Sequence, residues 1–412
     1  MAGLAWVDQS LQLDLRGRWY WWMAQRRDAA TIGRRLIYLD HAATTPMRPE
    51  VWEAMSPFAD DNFGNSSGVH EVSRRAKNAL EEARELAASL IGATSREVII
   101  TSGGTESDNL ALKGTVLNTL PRRGVVTVAT EHEAVLETVD FLRRLGSPVT
   151  IVGVDTSGQV DLSALLDAID ANTAVVSIML MNNETGAIHD LKGIVEKIRR
   201  HDPEVVIHTD AVQALSSEPI DVRALGVDLL TVTAHKFGGP KGAGLLYAKE
   251  GSRLEPLLHG GGQELGRRSG THDVAGAVGL ASAMKAAVAD RQRFRGEVGR
   301  IRDDFEKRLV AGIQDVTVNS PTESRSHHHL NIRFPGVSNE TLLMRLDRAG
   351  VAASAGSACQ SGASEVSHVL EAMGLTSDEA RESVRFSFGW DSKPDEAIEA
   401  AEIVVDLVES LR

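Results

Sequence analysis

Cysteine is nearly absent from this sequence, and long apolar runs and an excess of positive charge are missing. Of 412 residues only Cys359 is a cysteine, which excludes an intramolecular disulfide and a cysteine-based zinc site. A formal net charge of -13 argues against a basic face for nucleic acid. No apolar run reaches the roughly 20 residues that cross a bilayer, and the N-terminus lacks the order of a secretory signal. We therefore expect a cytoplasmic protein that binds neither nucleic acid nor membrane.

Aromatic residues are also scarce, at 4% of the chain, yet they cluster at its start. Four of the six tryptophans, Trp6, Trp19, Trp21 and Trp22, lie among arginines in residues 1–35. We interpret residues 1–35 as a poorly ordered N-terminal extension. A docking or targeting segment is the alternative, since basic, aromatic stretches also bind surfaces.

From residue 36 onward, short apolar runs alternate with helix-period segments, which is typical of a mostly parallel sheet with helices on both faces. This α/β pattern predicts strands at 97–101, 125–130, 149–152, 174–180, 205–209, 229–233 and 244–247, and helices that include 73–91, 162–169 and 191–200.

A smaller α+β unit is predicted at the C-terminus, after a long amphipathic segment at 274–313. It has short strands near 330–334, 351–353 and 384–387 and a terminal helix at 395–411. We therefore divide the chain into an extension at 1–35, a segment at 36–50 that packs with the small domain, a large domain at 51–285 and a small domain at 286–412.

Polar clusters follow several of these strands, and ligands gather at the carboxyl ends of parallel strands. The first cluster, TSGGTESD at 101–108, precedes a helical run that begins at Asn109. Its backbone N–H groups suit an anion such as phosphate. A plain capping box of Thr105 with Asp108 explains the same residues, so the cluster alone does not decide between them.

The other clusters carry His132, Asn183, Asp210 and Lys236. His132 is either structural or faces a bound molecule. Asp210, at the end of an apolar run, is either a helix N-cap or a desolvated carboxylate in need of a cationic N–H partner. Lys236 lies between an apolar strand and a glycine-rich turn, where partial dehydration would lower its pKa and suit it to bind a carbonyl compound; a solvated lysine is the alternative.

The order and spacing of these clusters resemble the cysteine desulfurases, which are fold-type I pyridoxal-phosphate enzymes of the class V aminotransferase family. The resemblance covers the chain from about residue 37 to its end. The matching segments are YLDHAATT at 38–45, FGN at 63–65, residues 101–109, 131–132, 182–184, 210–213, AHK at 234–236, GGGQE at 260–264, RSGT at 268–271, SAC at 357–359 and VRFS at 384–387.

The resemblance implies a cofactor, pyridoxal 5′-phosphate, and assigns residues to it. Lys236 would bind it covalently and move protons on the substrate, Asp210 would pair with its ring nitrogen, and His132 would stack on its ring. Its remaining contacts would be made by Asn183 and Gln213 at the ring oxygen, by Gly104, Thr105, Thr233 and His235 at the phosphate, and by Thr271 at the phosphate of a partner subunit.

For the substrate, L-cysteine, the resemblance implies that Arg385 clamps the carboxylate with Asn65 alongside. The thiolate of Cys359 would take the sulfur as a persulfide and leave alanine. Thr271 implies a homodimer, and the long stretch between Cys359 and Arg385 implies an iron–sulfur scaffold or a sulfur carrier as acceptor, for cluster assembly or tRNA thiolation. Cys359 would also be able to ligate an iron–sulfur cluster transiently.

Other functions compete with this one. A selenocysteine lyase or another class V aminotransferase would share Lys236 and Asp210, and a catalytically inactive scaffold would bind no cofactor. The run His327, His328 and His329 suggests a metal, but adjacent side chains on a strand diverge, so we predict no metal site.

Overall fold

The computed structural model describes residues 36–356 and 366–412 as an α/β protein with three β-sheets. The predictions for residues 1–35 and for Cys359 lie outside the described residues. The helices are Pro49–Met55, Glu71–Ser89, Gly104–Asn118, Glu133–Arg144, Leu162–Asp167, Leu191–His201, Val222–Leu225, Val274–Arg293, Gly299–Gly312, Asn339–Ala349, His368–Ala372, Ser377–Arg381 and Pro394–Leu411.

The twelve strands are β1 (Ile37–Tyr38), β2 (Val98–Thr101), β3 (Gly124–Val128), β4 (Val149–Val152), β5 (Thr173–Ser177), β6 (Val206–Asp210), β7 (Leu229–Thr233), β8 (Gly244–Ala248), β9 (Thr317–Val318), β10 (His329–Arg333), β11 (Val351–Ala352) and β12 (Ser383–Ser387).

The large sheet has seven strands in the order β2-β8-β7-β6-β5-β3-β4. Strand β8 runs antiparallel to both of its neighbours, β2 and β7, and the other four pairings are parallel. All but β4 and the first residue of β6 are buried throughout. Burial on both faces explains their nearly continuous apolar sequences. The predicted mostly parallel sheet is confirmed.

A second apolar core lies around the antiparallel sheet β12-β10-β9. Phe305 packs against Phe386 and Phe388, with ring centroids 4.9 and 5.5 Å apart, and the terminal helix Pro394–Leu411 adds Val404 and Val408. The predicted α+β unit at the C-terminus is therefore present.

The N-terminal strand β1 joins this second core rather than the large sheet. It pairs in parallel with β11, and Ile37 and Leu39 are buried in the second cluster. The segment then crosses toward the large sheet, where the Thr45 N–H bonds the His235 carbonyl. The exact domain boundaries stay a prediction.

Aspartates set the start of several helices. Asp161, Asp190 and Asp273 each accept a bond from the backbone N–H three residues on, which satisfies an N–H group that the helix leaves unpaired. These caps fix where the chain turns after a loop. None of the described helices is long and apolar enough to span a membrane.

Candidate active site

A pocket lies where the carboxyl ends of the large sheet face β12. Its empty volume is about 720 Å³, including the part open to solvent. The large sheet forms one wall of the pocket and β12 the other, and both contribute side chains that were predicted from the sequence. Those lining it are Gly104, Thr105, His132, Asn183, Asp210, Gln213, Thr233, His235, Lys236 and Arg385.

Lys236 enters the pocket from a short turn directly after β7. Its Nζ donates to the carbonyl oxygens of Ala42 and Ala43, at 2.5 and 2.9 Å. The side-chain amide of Gln213 donates to the same Ala42 oxygen at 3.0 Å. The 42–43 backbone therefore directs the amine into the pocket from a fixed position.

Asp210 ends β6 and is 6% exposed. Its Oδ1 accepts the Val212 N–H at 2.8 Å, within a turn rather than at a helix start, so the N-cap alternative is wrong. Burial raises the pKa of Asp210, while His132, the Val212 N–H and Lys236 oppose the rise. A cationic N–H group in the pocket would favour its charged form.

Two further carboxyls, Asp108 and Glu131, lie behind Asp210. Burial, followed by the nearby charge of Asp210, raises the pKa of both well above the usual range. Asp108 Oδ1 and Glu131 Oε2 are buried and have no hydrogen-bond partner within the described part of the chain. Burial thus favours the neutral form of both groups, and of the three carboxyls Asp210 is the one that His132 and Lys236 favour in its charged form.

His132 is at once structural and pocket-lining. Its Nδ1 accepts the Ala134 N–H at 3.0 Å and so caps the helix Glu133–Arg144. Burial lowers its pKa, and the Lys236 charge acts in the same direction, against the opposing charge of Asp210. A neutral ring with a fixed orientation is suited to stack against a flat ligand.

The helix Gly104–Asn118 begins five residues earlier than the sequence predicted, so Thr105 lies inside it and is not an N-cap. The capping-box alternative is therefore wrong. The N-cap position is Gly103, at φ 149°, which has no side chain to satisfy the first amides. These amides, beside Thr233 and His235, form a place for an anion at the positive end of a helix.

Arg385 projects from the middle of β12 and is only 1% exposed. One terminal nitrogen donates to Asp40 Oδ1 at 2.7 Å and the other to the Asn183 carbonyl at 3.0 Å. Its Nε is buried and, among the described residues, has no partner. A guanidinium held by these two bonds while it lines the pocket suits a carboxylate there.

Asn65 and Thr271 do not line the pocket of their own chain. They lie on two loops that are joined next to them, since Ser66 Oγ and His272 Nδ1 are 2.8 Å apart. Their roles stay predictions, as does the role of Cys359.

No part in the site was predicted for Asp40, Glu131 or the Ala42 and Ala43 carbonyls, and Asp108 was considered only as part of a capping box. All of these residues lie in segments that match the family motifs. Asp108 and Glu131 could have been found by considering every carboxyl that follows a predicted strand. The pairing of Asp40 with Arg385 carried no local signal, because 345 residues separate them.

A family model described as aminotransferase class-V matches residues 37–399. A cysteine desulfurase IscS of Dictyoglomus turgidum is 42% identical over 92% of this chain and 96% of its own length. One of Methanosarcina thermophila is 40% identical over 92% and 93%.

Solved structures agree with these sequence matches. A NifS-like protein has a TM-score of 0.86 at 33% identity, covering 91% of this chain and 100% of its own. SspA, solved in complex with cysteine, has a TM-score of 0.75 at 35% identity, covering 85% and 98%.

Proposed function

Since this chain belongs to the class-V aminotransferase family and is a pyridoxal-phosphate-dependent cysteine desulfurase, we propose a division of roles among its residues. The resemblance drawn from the motifs is thereby confirmed at the level of family, activity and cofactor. The observation that carries the roles is that Lys236, Asp210 and Arg385 line one pocket although they come from both sheets.

The pocket residues fit the cofactor. The buried Asp210 calls for a cationic N–H partner, and the Asn183 Oδ1 is buried without a hydrogen-bond partner among the described residues. The uncapped amides at Gly104 and Thr105 suit a phosphate. We assign Lys236 to hold the cofactor covalently, His132 to stack on its ring, Asn183 and Gln213 to its ring oxygen, and Thr233 and His235 to its phosphate.

Bound pyridoxal phosphate supplies an electron sink for bonds broken next to the amino group of the substrate. Arg385 binds the carboxylate of L-cysteine and thereby orients its Cα–H bond, with Asn65 as a further ligand. Lys236 removes the Cα proton and returns protons to the product. Because Asp40 holds Arg385 from behind, the guanidinium is oriented before substrate arrives.

We assign the sulfur-accepting thiol to Cys359. Its thiolate attacks the Sγ of the bound cysteine, so that an S–S bond forms and the Cβ–Sγ bond breaks. The electron pair of the broken bond stays with the carbon skeleton, which takes up a proton and leaves as L-alanine. The balance is L-cysteine plus thiol giving L-alanine plus persulfide, and no external oxidant or reductant is needed.

The proposal extends to partners and location. A homodimer would allow Thr271 to reach the phosphate of the other subunit, which is consistent with its position away from its own pocket. An iron–sulfur scaffold or a sulfur carrier would take the persulfide, and Cys359 would ligate a cluster transiently during delivery. The cytoplasm would keep the lone thiol reduced between turnovers.

The test compares wild type with Cys359→Ser, both loaded with pyridoxal phosphate and mixed with L-cysteine. We expect wild type to release alanine and to carry a persulfide on Cys359. The variant should bind the cofactor with the same visible spectrum but form neither product. Alanine release by Cys359→Ser at the wild-type rate would contradict the assignment and would favour a lyase that does not need the thiol.

A further inference from the structure

The residues that flank the segment 357–365, which contains Cys359, meet at one carboxylate. On the C-terminal side, Ser367 Oγ donates to Glu184 Oε2 at 2.5 Å. On the N-terminal side, Gly356 lies so close to the same group that a Cβ there would be 2.9 Å from Oε2. Gly356 also has a φ of 154°, a backbone conformation that favours glycine.

Glu184 is buried next to Asn183, a residue that lines the pocket, and its backbone is fixed by hydrogen bonds. It is 1% exposed and lies in a turn that the Asn182 side chain organises, since Asn182 Oδ1 accepts from the Glu184 and Thr185 N–H groups, each at 2.9 Å. The Asn182 amide donates to the Thr130 carbonyl at 3.0 Å. The buried carboxylate of Glu184 thus extends from a fixed backbone turn to bond Ser367, and it lies against Gly356.

One flank is also joined to a pocket residue, and the other to the residue next to one. Ser354 pairs with Arg385, with the Arg385 N–H 2.6 Å from the Ser354 oxygen. His368 Nε2 lies 3.0 Å from the carbonyl of Glu131, the residue before His132. The two flanks thus begin and end beside the groups assigned to the substrate carboxylate and the cofactor ring.

We propose that Glu184 is a positioning residue for sulfur transfer: by bonding Ser367 next to Gly356, it sets where the Cys359 thiol can reach. The inference rests on the proposed function of Cys359. Glu184 touches neither substrate nor cofactor in this role. It acts on distance, and a displacement of about 1 Å in the reacting groups can cost about 100-fold in rate.

The experiment measures two quantities on cofactor-loaded protein, the single-turnover rate of Cys359 persulfide formation at saturating L-cysteine and the L-cysteine concentration that half-saturates the change in visible spectrum. We expect Glu184→Ala and Ser367→Ala to slow persulfide formation by roughly 10- to 100-fold. Half-saturation and cofactor content should stay at wild-type values. Amide hydrogen exchange at residues 366–370 should become faster.

Conservative variants and a matched control distinguish a positioning role of Glu184 from a general destabilisation of the nearby short helices. Glu184→Gln and Ser367→Thr keep the bond and should restore the rate to within a few-fold of wild type. Thr376→Ala removes a comparable N-cap from the next helix, Ser377–Arg381, and should have no effect on the rate. Ser367 also caps its own short helix, and this control accounts for that loss.

The inference is overturned if Ser367→Ala forms persulfide at the wild-type rate, if Thr376→Ala is equally slow, or if Ser367→Thr fails to restore the rate. Should Glu184→Ala not fold, the two Ser367 variants still decide. If wild type forms no persulfide on Cys359, the proposed function fails instead, so the two failures are distinguishable.

Discussion

The two walls of the pocket are built by different physical means. The large sheet contributes polar residues in series, in clusters at the ends of several buried strands, with two buried carboxyls whose pKa burial raises. The small antiparallel sheet contributes a single long side chain, Arg385, from the middle of β12. The comparison suggests that the first wall supports the chemistry of the bound molecule and the second supports its orientation.

Loss of the central lysine of the large-sheet wall should have the largest effect. Lys236→Ala removes both the covalent attachment and the proton-transferring amine, and proton transfer alone is worth about 10²–10⁴-fold. We expect alanine release to fall by at least that factor, measured under saturating L-cysteine and added pyridoxal phosphate. Lys241→Ala, at an exposed lysine in the same turn region, is the control and should retain activity; equal losses in both would contradict the assignment.

Replacing the Arg385 guanidinium in the small-sheet wall should weaken substrate binding more than it slows the chemical step. Arg385→Lys keeps the charge but cannot donate two parallel bonds. Hydrogen bonds to charged groups contribute about 1.5–3 kcal/mol, so KM for L-cysteine should rise by roughly 10- to 100-fold, with a much smaller change in kcat.

The matched control for this change is Arg333→Lys on the neighbouring strand β10, where the arginine pairs with Glu379 and Glu382. Its KM should equal that of wild type. A fall in kcat without a rise in KM for Arg385→Lys would show that both walls serve the chemistry and would remove the distinction between them.

The sequence predicted more of the large-sheet wall than of the small-sheet wall, because the two walls are built differently. Asp210 ends a buried strand, and Lys236 and His132 lie within four residues of the end of one. Because the carboxyl ends of parallel strands meet at one edge, local pattern was enough to predict these residues. The Arg385 partner Asp40 and the Glu184 contact with Ser367 join residues far apart in the chain. Periodicity carries no information on such pairs, and only the family resemblance had marked Arg385.

The helix starting at Gly104 shows a second limit of local pattern. The sequence suggested a start at Asn109 and a cap at Thr105, because glycine disfavours helix and threonine favours caps. The anchoring of Ser107 to Thr101, with hydroxyl oxygens 2.8 Å apart, together with packing against the sheet, extends the helix backward. These tertiary contacts outweigh the local helix and cap propensities, and they cannot be read from the sequence around residue 104.

The last comparison between the two regions concerns one buried histidine in each, and its expected effect is on stability rather than on activity. His208 lies in strand β6 of the large sheet and His328 in the small unit, and burial lowers the pKa of each from 6.5 to about 3. Below about pH 6.5 these two histidines bind protons in the unfolded chain but stay neutral in the folded chain until the pH approaches 3. The free energy of unfolding should therefore fall as the pH drops from about 6.5 to 3, by at most about 1.4 kcal/mol per pH unit for each histidine.

The two histidines should differ when each is replaced by leucine, because their nitrogens have different partners. His208 lies 2.9 Å from Ser177 Oγ and 3.1 Å from Thr231 Oγ1, so His208→Leu leaves polar groups unsatisfied and should cost about 1–3 kcal/mol already at pH 7.5. The His328 Nδ1 is buried with no partner in the described ranges, so His328→Leu should cost less there. Urea unfolding at pH 7.5 and 5 measures both, and each variant should lose less stability on acidification than wild type. An unchanged pH dependence in His328→Leu would mean that this ring is not held neutral by burial.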